Sequence, residues 1–443
     1  PMPRVTRQLI PLALVIFLVA ALVVRWLPTG TWRVAADRSY AQKTGSVFGP
    51  VPGDPTASPA ASAVPIPPFS GAHAIWGATG RDDGGHIWFG VSDHGGEPPS
   101  AHLFEYDPAS GRVTDRGNVV EQLRRLDLLR PGEGQMKIHS RIVQADDGYL
   151  YFASMDERDE KEDGSRLPTW GGHFWRLDPP DGPWEHLFAA PEPLIAAGGG
   201  GRYVYALGYF GHVVYQYDTK TASVRRTAVG SVGGHISRNL IVDSRGHVYV
   251  PRVRAASDPV PTVATGETAD ERFPTTLVEL DAGLRELRET PLEFYGADPT
   301  FRSHGIIGFV SLADGSLVFA THRGYLYRIV PRDGQAADVT HVGWFHPQGP
   351  AYTPSLFTFS GERYLAGVGR VRGGDWEWLV YDLQTGQQTA RPLDLAAAGL
   401  PSHNHLQLYG SVTRDDHGGF YVAGRGVVND RRAPILLRLH VGD

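Results

Sequence analysis

No cysteine occurs in the 443 residues, which removes disulfides, thiolate metal ligands and cysteine nucleophiles together. Methionine is scarce as well, with three in all. A basic excess is missing: 42 Lys and Arg stand against 48 Asp and Glu, for a net charge of −6, so the chain lacks the electrostatic footprint of a nucleic-acid partner. There is no G-x-x-x-x-G-K-[ST] loop, and the run Gly198 to Gly201 lies between strand-like segments with no helix after it. It therefore reads as a flexible turn and not as a phosphate cradle. Long helical periods are absent except in EQLRRLDLLR (121–130), which predicts a short surface helix. No pair of carboxylates is placed as a glycoside hydrolase needs them.

Apolar length is confined to one place. Leu9 to Val24, interrupted by Pro11, follow Arg4 and Arg7. Such a run rises only ~24 Å as a helix against a hydrocarbon layer of ~30 Å, so it serves either as a cleaved secretion signal or as a retained anchor. The expectation adopted is a signal-anchor or transmembrane segment over residues 1–28. The upstream arginines then place the rest of the chain on the periplasmic or extracellular side of the cytoplasmic membrane. Residues 29–70, rich in Pro, Ala and Ser, read as a tether that also supplies a closing strand, with TWRVAADRSY (31–40) as the candidate.

What is abundant is glycine, 54 residues, together with aromatic and β-branched strands. A segment ending in an aromatic or Leu and then a turn recurs as HLFEYDPASG, HFWRLDPPDG, HVVYQYDTKT, TTLVELDAGL, YLYRIVPRDG, WLVYDLQTG and ILLRLHVGD. These are seven third strands of a four-stranded unit. They predict an all-β fold, a seven-bladed β-propeller over residues 71–443, whose ring closes by borrowing a strand from the other terminus.

Histidine is in register with that unit. His73, His139, His235, His304 and His403 each open the apolar run expected to line the central axis. The start of the first strand and the loop between second and third strands share one face of a propeller. That face would also collect His94, Tyr209, Arg252, Arg254, Arg323, Arg370, Arg372 and Arg425, making it locally basic and suited to an anionic ligand. The blander alternatives are histidines that satisfy backbone groups along the pore and arginines that sit as solvated loop charges. His403 and His405 are spaced to share one face of a strand and, with His304, form a candidate three-imidazole site for a divalent ion. The charge run DERDEKED reads as a solvated flap without chemistry.

KIHSRIVQADDGYLYFAS followed by GGHFWRLDP resembles blades of the propeller-fold polysaccharide lyases, the ulvan lyases in particular, and SHNHLQ is similar to the metal-binding histidines of oligogalacturonate lyase. The resemblance implies β-elimination at a uronate-containing polysaccharide, with His139, His173, Tyr209 and Arg238 matching the catalytic positions and a calcium, manganese or zinc ion assisting. Where oligogalacturonate lyase carries a glutamine beside its metal histidines, this chain has Leu400. Such chemistry needs a base (His139 or His235), an acid (Tyr209) and a positive group (Arg238 with the metal site). His73, His94 and the loop arginines would then hold the anionic polysaccharide. Two alternatives stay open. One is a non-catalytic, membrane-tethered propeller that binds a glycan or a protein. The other is an iron oxygenase in which His139, His235, His304 and His403 imitate the four-histidine site of the carotenoid oxygenases, although the motifs around them are not similar.

Overall fold

Segments such as IWFGVSD and HLFEYD carry apolar side chains on both faces, as strands must when neighbours cover both sides of their sheet. The computed structural model describes Asp54 and residues 56–442, apart from 162, 234, 256–273, 297–304, 360–361, 401, 411–412, 416 and 429. In it these segments form seven antiparallel sheets. In chain order the blades occupy Ala72–Asn118, Lys137–Ala190, Leu194–Ala228, Ile241–Leu292, Ile306–Trp344, Phe357–Pro392 and Leu406–His440. Each predicted third strand is a third strand, and the fold is the seven-bladed propeller expected.

Burial follows the ring. The described residues hold seven apolar clusters, six shared by two adjacent blades and one that also takes in Met155 of a third; one joins Trp88 of the first blade to Phe152 and Trp175 of the second. Another joins Tyr421 and Leu436 of the last blade to Phe89 and Phe104 of the first. The core is distributed, as in other repeat architectures. Near the axis the blades crowd: a Cβ on Gly80 would lie 1.9 Å from the carbonyl oxygen of Ile142, so only glycine lets these inner strands bridge.

Ring closure differs in detail from the expectation. The N-terminal strand is Ala60–Ala63, within the predicted tether, and it pairs antiparallel with Leu437–His440. TWRVAADRSY lies outside the described residues. Small Ala and Ser side chains suit this outermost position, where one face meets solvent, and Val64 behind them is buried with its N–H on Leu436 O at 2.9 Å. Removing residues 1–63 is expected to lower Tm by several degrees, because it strips a full strand from one blade. Amide exchange protection should fall first at 431–440; loss spread evenly over all blades would contradict this.

The helix is shorter than its periodicity suggests, Val119–Arg125. It starts at the Asn118 cap, whose Oδ1 accepts from Glu121 N, and stops before Asp127, which takes φ 56°. Gly198 and Gly199 belong to the inner strand Leu194–Gly199, not to a turn. Among the described residues no helix is long and apolar enough to cross a membrane, and the predicted anchor over 1–28 lies outside them.

Candidate functional site

The inner strands begin on one face of the ring, and there the structure opens a cavity of about 450 Å3. Trp76, Arg238, His322, Tyr352, Arg370, Trp376, Tyr409 and Arg425 dominate its lining, contributed by the first blade, the two blades in mid-chain and the last two. Arg238 precedes the inner strand Ile241–Val242 and crosses the pore. It donates from Nη1 to Trp76 O at 2.6 Å and to His139 Nε2 at 3.2 Å, with its guanidinium carbon 5.0 Å from the Tyr409 ring. Arg370 donates to His403 O at 3.1 Å and Asn404 Oδ1 at 3.2 Å. Arg425 donates to Gln407 Oε1 at 2.8 Å and His73 Nε2 at 3.0 Å, and lies 5.2 Å over the Trp76 ring.

Among the described residues none of these three guanidiniums has a carboxylate partner, and no carboxylate lines the cavity. The positive field shows in the imidazoles. Burial, then the neighbouring His94, Arg425, Arg432 and Lys137, hold His73 down at about 3. Burial and then Lys137 hold His94 at about 4, and burial followed by Arg238 and Arg323 does the same to His322. All three are therefore neutral at pH 7. The aromatic walls are close-set: Trp76 and Tyr409 centroids stand 4.7 Å apart, and His73 stacks on His94 at 4.0 Å.

The shared-face argument thus brings His73, His94, His139, Arg238, Arg370, Arg425 and the backbone of His403 to one region. Other expected residues lie elsewhere. Arg252 reaches Glu286 and Glu289, at 2.6 and 3.1 Å, and Arg254 pairs with Glu289, so both are neutralised along the fourth blade. Arg323 lays its stem against Gly296, and Arg372 is an exposed turn residue. His173 is buried between Glu133 and His186, at 3.0 and 2.9 Å. Tyr209 is buried with its hydroxyl on Glu160, and burial pushes its acidity far down. His235 meets Tyr295 Oη at 3.2 Å. His139 keeps its Nδ1 hydrogen on Ile195 O at 3.1 Å, so its Nε2 lone pair is the acceptor for Arg238. A cation at Nε2 would have to displace that guanidinium, which weighs against the four-histidine iron arrangement.

His403 and His405 occupy a 3-10 turn, His403–His405, and not a strand, so their spacing does not set them on one face. His403 Nδ1 is taken by the Trp376 N–H at 2.7 Å, and His304 lies outside the described residues. Two other groups have metal-like composition, Asp82 with His86 and Glu105, and Asp243 with His247 and Glu279. Their carboxylates already bind Arg116 and Arg245, and Asp82 and Asp243 each cap a turn through backbone N–H groups. They read as turn clamps repeated in two blades. The DERDEKED segment is more than a solvated flap: Glu157 pairs with Lys137, and Glu160 holds Tyr209.

Sequence reasoning missed Trp76, His322, Tyr352, Trp376 and Tyr409. Trp76 follows His73 by three residues at the same strand opening, a signal that was usable. His322 differs from the favoured Arg323 by one position in THRG, and only the turn geometry decides which of the two faces the pore.

No family description and no curated protein matches this chain. Among solved structures it is similar to YCF48 bound to D1 peptide, at 11% identity over 89% of this chain and 98% of that one, with a TM-score of 0.48. It is also similar to the β-propeller domain of the Trilobed protease from Pyrococcus furiosus, at 9% identity, 83% and 95% coverage and a TM-score of 0.42. A third is the α-L-arabinofuranosidase arb93a from Fusarium graminearum, at 11% identity, 75% and 99% coverage and a TM-score of 0.43. The chain is a β-propeller; likeness at this level says nothing of its activity.

Proposed function

We propose that the 450 Å3 cavity binds an acidic sugar, a uronate unit of a polysaccharide. The observation that carries this is the set of three arginines, Arg238, Arg370 and Arg425, without carboxylate partners around one aromatic-walled cavity. Guanidiniums match carboxylates bidentately, and the partly exposed Trp76, backed by the buried Tyr409, offers apolar surface to a sugar ring. Calorimetric titration with galacturonate oligomers tests it. Arg370→Gln and Arg425→Gln should each weaken binding about tenfold or more, since a hydrogen bond to a charged group contributes about 1.5–3 kcal/mol. Arg252→Gln and Arg254→Gln should leave affinity unchanged, and equal losses in all four variants would sink the assignment.

One observation favours a catalytic use of the same cavity. His322, neutral and beside Arg238, can take a proton; burial and then the Arg238 charge depress it, and a substrate carboxylate seated on Arg238 would offset the second of these. In β-elimination the C5 proton passes to that base, the C4–O bond breaks as the C4–C5 double bond forms, and the leaving oxygen gains a proton. Arg238 supplies there the positive charge that the sequence assigns partly to a divalent ion on His304, His403 and His405. An exported chain tethered through residues 1–28 would meet such a polysaccharide outside the cytoplasm. Products should absorb in the near ultraviolet, and His322→Gln should lower turnover ~10²-fold or more with little change in binding. Binding without any such product leaves a glycan-binding propeller.

A further inference from the structure

The last blade departs from the other six in one respect. Its middle strands, Gly419–Val428 and Arg431–His440, run ten residues each, against five to eight elsewhere, and stay paired out to Val428 and Arg431. The extension stands as a wall beside the cavity, and Arg425 sits on it. Beyond that arginine lies a second, smaller cavity of about 130 Å3, lined by Asn404, His405, Gln407, Arg425, Val427 and Arg432. Gln407 and Arg425 line both spaces, so the two are contiguous. Arg432 is exposed, and among the described residues it has no carboxylate partner. Its charge reaches inward, since after burial it is among the charges that hold down His73, the partner of Arg425.

We infer that the second cavity is an outer subsite for another acidic unit of the same ligand, so that the preferred ligand is an oligomer with negative charge on successive residues. The inference rests on the acidic-sugar reading of the main cavity. Arg425, between the two spaces, would meet both units, and Arg432 with His405 and Asn404 would hold the outer one. A single-unit ligand would leave Arg432 nothing to do.

The test compares mono-, di- and trigalacturonate by calorimetry. The wild-type protein should bind the trimer at least about tenfold more tightly than the monomer, as one added charge-assisted contact implies. In Arg432→Gln that trimer-to-monomer ratio should fall close to one. Arg431→Gln, which removes the same charge from the same hairpin outside both linings, should keep it. A ratio near one in the wild-type protein, or a ratio retained in Arg432→Gln, overturns the outer subsite while monomer binding leaves the main reading standing. No binding of any of the three overturns the reading itself.

Discussion

Arg238→Gln is expected to weaken binding of galacturonate oligomers by at least a hundredfold, more than any other single change. Arg370 and Arg425 sit at the rim with several polar neighbours, whereas Arg238 is buried in the pore, 5% exposed, with Trp76 O and His139 as its hydrogen-bond partners and the Tyr409 ring against it. A buried cation with no carboxylate in hydrogen-bonding contact carries a desolvation penalty that the more distant Glu157 offsets only in part, and burial accordingly lowers its pKa. An arriving carboxylate removes that penalty, so most of the charge-based affinity is concentrated there. A second readout separates this from general damage. Arg238 follows burial as the next cause that lowers both His139 and His322, so the variant should show both imidazoles titrating at higher pH by NMR. Lost binding with both titrations unmoved would mean a structural defect rather than a missing charge.

Acid should unfold this protein early. His94, His186, His212 and His322 are each held at about 4, and His139 and His235 lie well below their ordinary value of 6.5, with burial the first cause in every case. In the unfolded chain these imidazoles protonate as pH falls through 6.5, while in the fold all six stay neutral well below that, the first four until about 4. The unfolded state therefore binds more protons across that window, and the stability present above pH 6.5 is lost as pH falls toward 4. A pKa unit corresponds to about 1.4 kcal/mol, so the fully buried His212 alone contributes a few kcal/mol, a large part of an ordinary domain's stability. Glu133 works in a lower window. Although burial opposes it, the His173 and Arg130 hydrogen bonds hold its carboxyl at about 2, so its contribution is lost only below its unfolded value. The urea midpoint should drop steeply between pH 7 and pH 5, and equal midpoints at the two values would refute the account.

The repeat was legible because each third strand ends in the same aromatic-to-turn transition, a local signal unaffected by what packs beside it. The shared face was legible for a topological reason: strand starts and second-to-third loops must lie together, and His73 does stack on His94 from such a loop. Charge neutralisation was not legible. Arg252 and Arg254 meet Glu286 and Glu289 only through the register of strands separated by more than thirty residues. The same holds for Tyr209, whose partner Glu160 comes from a different blade. His403 and His405 failed for a local reason: Arg370 on the His403 carbonyl and the Trp376 N–H on its ring hold the chain in a tight turn where spacing alone suggests a strand.

The last blade is stitched from both ends of the chain, and it also carries Arg425. Its docking against the first blade, Tyr421 and Leu436 onto Phe89, joins residues more than 300 apart in the chain, the kind of contact that forms late because its loop-closure entropy is large. Arg425 comes against His73 only when that seam shuts. On the proposed reading, ligand affinity gauges maturation: a chain stalled during synthesis, or clipped so that the N-terminal strand is lost, is expected to hold most of its blades intact and still fail to bind.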